Sequence, residues 1–580
     1  MINISARENH PLRQSCSSNW SSKHSFAASV TLSLFFVTVW SFSSQFGGDG
    51  TNDDFAIGVA LSNRLPEADM SLFVNALFGY MISSLNSVIP DVNWFWFIER
   101  LSVFVSFSTL LFICFEKSED YPLLFLVPIC FCSLLLVGCT YRGNFSFVAS
   151  AATLSGGMAL VLGLKSPYSR RYNALLTFLA IALLLIGFSI RIESFLLFVP
   201  FLLLSIGGTL LAGQNNLAVI ARKLRPIFLT VVCCFILFAI DQAIWNSNDD
   251  LYQWKQYNHV RSQISDYPMP QYGEVSDTLL AYGVSENDYF MLQNWMTADT
   301  SVFDYETLSK VASLSEQRSL IQQIQGIPNA AKDYFFRLTT EGLLLGFIVL
   351  YGLLIAKSKK SRLFSGSLLF LAFILSSYLV ATGQFPQRVE YPLWVYAFSI
   401  VSLEITGIVN IEKTRLQSAI QGITVFIFLF SAVNQLPLFS IHEVKDSITQ
   451  TTCHAQGEVF DYERNHPQDV YLFDVGTYEI VEQTFKEKNL PSTEFLTHNA
   501  TLGGWSCESP YFKSRNRIMG SSSLLKELAT NESFHLLTRT PSICDTLCIF
   551  LQEHYGLNAK AKVSKGPTDT IYQCDFECVN

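Results

Sequence analysis

The sequence predicts an α-helical polytopic membrane protein of about eleven spans with a small extracytoplasmic α/β domain at its C-terminal end. Three observations lead there: apolar residues arrive in solid blocks of seventeen or more, basic residues collect in alternate loops between the blocks, and six cysteines gather in residues 440–580. Half of the 580 residues are hydrophobic, 14% are aromatic and only 15% are charged. With a mean hydropathy of +0.30, the chain carries more apolar surface than an ordinary soluble protein. Each block can cross a hydrocarbon layer about 30 Å thick as a helix. A closed barrel is excluded, because it needs alternation rather than continuous apolar runs.

Residues 1–25 are polar and include Arg7, Arg13 and Lys23, and the first apolar block ends in Phe-Gly-Gly-Asp-Gly rather than a small-x-small cleavage site. They read as a cytoplasmic N-terminus followed by an uncleaved anchor. The predicted spans are 26–46, 95–115, 122–140, 145–164, 173–190, 194–212, 226–244, 341–356, 363–381, 391–409 and 418–437. With the N-terminus inside, the basic clusters at 165–171, 222–225, 357–362 and 413–415 all fall on the cytoplasmic side, as the positive-inside rule requires. Counting residues 70–89 as a further span would invert every later loop, so this segment reads as a juxtamembrane or re-entrant helix. The transmembrane bundle is therefore 26–437, with outer loops at 47–94 and 245–340 and an extracytoplasmic domain at 440–580. The net charge of −9 comes mainly from these outer regions and argues against a nucleic-acid partner.

The loop 245–340 is too long for a plain connector and reads as a lid or binding element. Within it Ser285-Glu-Asn-Asp288 resembles a capping box, and residues 303–324 have apolar residues at helical spacing. Its acids Asp249, Asp250 and Asp266 read first as a solvated acidic surface. In the tail, residues 469–474 alternate like a strand and are followed by a helical stretch to about residue 488. Residues 533–538 give a second strand, Thr540-Pro541 starts a helix closed by Gly556, and residues 569–576 give a last strand. The tail lacks a glycine-rich phosphate loop. Its six cysteines, Cys453, Cys507, Cys544, Cys548, Cys574 and Cys578, predict disulfides, most of them paired. A zinc site is the competing reading, without a Cys-x-x-Cys spacing to support it. The motif at 503–507, Gly-Gly-Trp-Ser-Cys, reads as a tight turn around a buried tryptophan.

The candidate chemistry sits at the membrane. The stretch Gly-Gly-Asp-Gly-Thr-Asn-Asp-Asp-Phe at 47–55 places Asp53 and Asp54 at the mouth of the first span. Adjacent carboxylates beside an apolar phase can hold a divalent cation or take a proton from a nucleophile. In the alternative, Asp53 caps the helix that follows and Asp54 is favoured by its dipole. Arg142, Arg191 and Arg388 each stand in a short outer turn. Charges there are paired or functional: they could grip the phosphate of a lipid-linked donor, or Arg191 could pair with Glu193 while Arg388 snorkels to headgroups.

An inside N-terminus, one span, an outer loop opening with acids and holding a juxtamembrane helix, then a many-span bundle together resemble the GT-C glycosyltransferases. That resemblance covers roughly residues 26–440 as a layout. It implies a polyprenyl-phosphate-linked sugar donor, a glycan or protein acceptor, and one of Asp53 and Asp54 as catalytic base or as an acid associated with a divalent cation, Mg or Mn. It also implies Arg388 as a donor-phosphate ligand. The acids here are adjacent rather than Asp-x-Asp or Glu-x-Asp, and the tail is unlike the large domains of oligosaccharyl transferases. The expected setting is the outer face of a multi-pass cell-membrane protein. Rival readings are a transporter or flippase of lipid-linked saccharide, which predicts internal pseudo-symmetry, and a non-enzymatic envelope protein whose tail binds a partner.

Overall fold

The computed structural model describes residues 18–43, 52–117, 144–165, 170–212, 217–315, 326–329, 331–332, 359–382, 387–404, 459, 461–484 and 490–579. Six of the described helices are long and apolar enough to cross a membrane: Trp94–Lys117, Phe145–Leu164, Asn173–Ile190, Ile192–Leu210, Leu224–Trp245 and Arg362–Ala381. Each falls on a predicted span. Two shorter apolar helices, His24–Thr38 and Val389–Leu403, fall on the spans predicted at 26–46 and 391–409. The spans predicted at 122–140, 341–356 and 418–437 lie outside the described residues.

Small residues set the packing of the bundle. The Phe145–Lys165 helix is buried almost throughout, and a Cβ on Gly156 would lie 2.7 Å from the Ala180 carbonyl of the neighbouring Arg170–Ile190 helix. A Cβ on Gly157 would overlap the Phe198 ring of a third helix. Backbones that approach this closely gain dispersion contacts that lipid cannot supply. The segment at 70–89 forms the Ala76–Val88 helix of 13 residues, about 20 Å long at 1.5 Å per residue, too short to span. Its start is pinned to the bundle: the Asn75 N–H donates to the Ser189 carbonyl at 2.8 Å, and the Ala76 N–H donates to Asp241 Oδ1 at 2.8 Å.

Above the bundle, the tail forms a five-stranded sheet in the order β2-β1-β3-β5-β4. Strand β1 (Val470–Phe473) runs parallel to β2 (Asn499–Thr501) and β3 (Phe534–Thr538), while β5 (Tyr572–Cys578) is antiparallel to β3 and to β4 (Ala559–Lys565). All four β1 residues are buried, as expected of a central parallel strand covered on both faces. At the edge, β4 exposes Lys560 and Lys565, charges that discourage pairing with another chain. The helix after β3 runs Ile543–Tyr555 and ends on Gly556 at φ 63°, a left-handed closure that favours glycine. Its cap position is Ser542 rather than Thr540.

The loop 245–340 builds the helices Asp249–Ser265, Tyr272–Ala281, Glu286–Gln293 and Tyr305–Ala312, and the capping box of Ser285 and Asp288 is present in both directions. These helices share a core with the sheet, in which Tyr257, Met291 and Phe303 meet Leu472, Leu536 and Phe550. A second core joins Phe55, Val59 and Met70 to Trp254, Tyr471, Phe473 and Tyr511. The segment after Asn52, the 245–340 loop and the tail thus interlock.

The cysteine expectation needs correction. Among the described residues one disulfide is formed, Cys544–Cys574, whereas Cys507, Cys548 and Cys578 are free thiols, and Cys453 lies outside the described residues. Cys507 is buried in the shared core against the Thr297 hydroxyl, and Cys578 at the end of β5 faces the Ala529 carbonyl. These thiols serve separate contacts.

Candidate functional site

One helix begins at Asn52 and ends at Ala60, so Asp53 and Asp54 both occupy its first turn, where carboxylates are favoured by the positive end of the dipole. Asp54 also reaches outside its own helix. Its Oδ1 accepts the Phe145 N–H at 2.6 Å, at the start of the buried Phe145–Lys165 helix, where Asn144 Oδ1 accepts the Ser146 N–H at 2.8 Å. Together the two side chains satisfy donors that a helix start leaves open.

Arg191 reaches the same residue. It sits between the Arg170–Ile190 and Ile192–Ala212 helices, and its guanidinium lies 4.9 Å from the Phe145 ring centre and 5.5 Å from that of Phe73. Its Nε pairs with Glu193 Oε2 at 2.9 Å, so the ion pair open to it in the sequence is formed. Phe145 therefore receives Asp54 on its backbone and Arg191 on its ring.

The 503–507 turn of the tail covers this point. Trp505, in the 503–507 turn, meets the Phe73 ring edge-on at 5.0 Å and stacks on Trp254 at 6.3 Å, and Trp254 Nε1 donates to the Trp505 carbonyl at 2.9 Å. The turn fits because Gly503 lies against the Trp295 carbonyl, where a Cβ would overlap, and Gly504 adopts φ +108°. Further in, Ser194 Oγ donates to the Ser146 carbonyl at 3.3 Å, and the Tyr396 hydroxyl donates to the Ser194 carbonyl at 3.5 Å.

Tyr396 belongs to the Gln387–Glu404 helix, whose first turn contains Arg388. The Arg388 side chain is outside the described residues, as is the whole of Arg142. The helix nevertheless brings Arg388 to the same group of elements, about 12 Å along the axis from Tyr396 at 1.5 Å per residue.

Sequence reasoning passed over buried ionisable residues. Glu99 and Arg100 are 2% and 5% exposed within the Trp94–Lys117 helix, and Glu390 is 5% exposed two positions after Arg388. Arg100 lies 5.0 Å from the Trp96 ring centre. Their signal was present, because adjacent Glu and Arg inside a predicted span are costly enough to mark function by default. Among the described residues, the His, Cys, Asp and Glu group whose donor atoms come within 4.8 Å of one another is Asp288, Glu553 and His554, which does not include Asp53 or Asp54.

The chain matches no protein-family model, and no curated protein matches it in sequence.

Proposed function

We propose that this protein is a membrane glycosyltransferase that transfers a sugar from a polyprenyl-phosphate-linked donor to a cell-envelope glycan or protein acceptor on the outer face. The observation that carries this reading is the meeting of Asp54 and Arg191 on Phe145 under the Trp505 turn. A carboxylate and a guanidinium that each contact Phe145 suit a reaction that releases one proton and one phosphate. The acceptor hydroxyl oxygen attacks the anomeric carbon and its proton passes to Asp53 or Asp54. The bond from that carbon to the phosphate oxygen breaks, and the electron pair leaves on the phosphate, stabilised by Arg191 and Arg388. A divalent cation at the acid pair would supply further charge stabilisation. The reading includes eleven spans, a cytoplasmic N-terminus and an extracytoplasmic C-terminus.

The test is replacement of Asp53 and Asp54 by Asn, singly and together, in the cell that makes the protein. Normal membrane levels with loss of a surface glycan are expected. Full retention of the glycan in the double variant overturns the proposal and leaves Asp54 as a helix cap.

A further inference from the structure

The Pro510–Ile518 helix carries three cations with different fates. Lys513 pairs with Glu508 at 2.9 Å and Asp250 at 3.3 Å, and Arg517 reaches Glu67 of the first outer loop at 3.5 Å. Arg515 is different. It is 6% exposed, its guanidinium lies 5.1 Å from the Phe512 ring centre, and Nη1 donates to the Asn499 carbonyl at 3.5 Å. Its Nε and Nη2 are buried and have no hydrogen-bond partner among the described residues.

The ionisable groups around Arg515 are Tyr478, Tyr511 and Cys507. Burial pushes the Cys507 thiol up to about 11 and the Tyr511 phenol above its ordinary range, so these two stay neutral at neutral pH. Arginine does not shed its proton in proteins, and an isolated charge in a dry interior is strongly unfavourable. Nε and Nη2 are the two donors on one edge of the guanidinium fork, parallel and spaced to match two oxygens of one oxoanion.

We propose that the Nε and Nη2 edge of Arg515 is a bidentate binding site for a phosphate-type oxoanion, placed where the α/β domain meets the first outer loop and the 245–340 loop. Such an anion supplies a counter-charge that no carboxylate among the described residues gives Arg515. The site uses none of Asp53, Asp54 or Arg191, so it stands or falls separately from the transferase reading. The phosphate can be free in solution or part of a lipid headgroup.

The experiment is equilibrium binding of radiolabelled inorganic phosphate to the purified full-length chain in detergent, with chloride holding the ionic strength constant. One saturable site per chain is expected, displaced by sulfate and at least about tenfold weaker in Arg515→Lys, which keeps the charge and loses the fork. On the unaltered protein, phosphate is expected to protect Arg515 from phenylglyoxal, read by peptide mass spectrometry, which needs no variant to fold. Repetition in phosphatidylcholine vesicles, with and without phosphatidylglycerol, assigns the source. Phosphate binding suppressed by phosphatidylglycerol identifies a headgroup occupant, and binding that persists identifies free phosphate. No saturable phosphate site, unchanged binding in Arg515→Lys, or no protection of Arg515 overturns the proposal.

Discussion

His554 and Asp288, 266 residues apart in sequence, meet at 2.8 Å between Nε2 and Oδ1, clasping the helix after β3 to the 245–340 loop. Asp288 also accepts the Ser285 N–H at 3.0 Å, and Glu553 accepts the Ser285 hydroxyl at 2.8 Å. The Asp288 contact, with Glu553 and Asp299 adding to it, raises the His554 pKa above its ordinary 6.5. A raised histidine pKa stabilises the clasp fully below the unfolded value and ceases to do so as pH climbs through the folded one. The expected result is a clasp that loosens at alkaline pH and whose pH dependence disappears in His554→Gln. The measurement is protease cleavage within 285–293 followed from mildly acidic to alkaline pH.

Glu463 behaves in a related way for a different reason. Burial pushes its pKa from 4.5 to about 8, against a hydrogen bond to its Oε2 from Asn499 Nδ2 at 3.2 Å. The folded state therefore holds the proton more tightly, so stability is intact below about pH 4.5 and falls as pH rises toward 8. Glu463→Gln removes that loss. We expect it to raise stability at pH 8 by an amount on the order of a few kcal/mol and to change little near pH 4, measured by thermal unfolding.

Removal of the Cys544–Cys574 bridge by Cys544→Ser is expected to destabilise the outer domain by about 2–5 kcal/mol. Replacement of Cys548 or Cys578 is expected to have a much smaller effect. Mass spectrometry of the non-reduced protein should find one linked peptide pair joining positions 544 and 574, and free thiols at 507, 548 and 578.

Gly503→Ala places a methyl group into the Trp295 carbonyl. Overpacking of this kind typically destabilises by about 1–3 kcal/mol, and relief comes by lifting the 503–507 turn away from Phe73. The expected readouts are faster protease cleavage in that turn and greater solvent exposure of Trp505 in fluorescence quenching.

Orientation is tested with reporters. A fusion after Asn580 is expected to be active only outside the cytoplasm, and one in the 357–362 loop only inside, from the parity of the four basic clusters. A C-terminus found inside would move Asp54 to the other face as well.

Local chemistry was legible in the sequence. The Ser285 and Asp288 capping box, β1 and β3, and the Gly556 closure each depend on residues close in the chain, as do the six long apolar helices. Where the deciding contact is distant, the sequence is silent. Asp54 finds its partner 91 residues away, so the acid pair reads as a cap for its own helix when Asp54 caps another. Strand β2 has three residues, too few for periodicity, and β4 is an edge strand in which Val563 is exposed while Ser564 is half-buried. The pairing of Phe73 with Trp505 joins a juxtamembrane loop to the far domain, and neither hydropathy nor spacing points to it.

The core shared by the first outer loop and the α/β domain also constrains biogenesis. Phe55, Val59 and Met70 await Tyr471, Phe473 and Tyr511, some 400 residues later, a wait of about 20–80 s at typical elongation rates. Throughout that interval the segment beside Asp54 lacks its apolar cover, exposed to proteases and available to chaperones. Assembly at the acid pair is therefore a late event in synthesis, and a ribosome stalled between the two halves leaves an inserted bundle that quality control can recognise by its bare apolar loop.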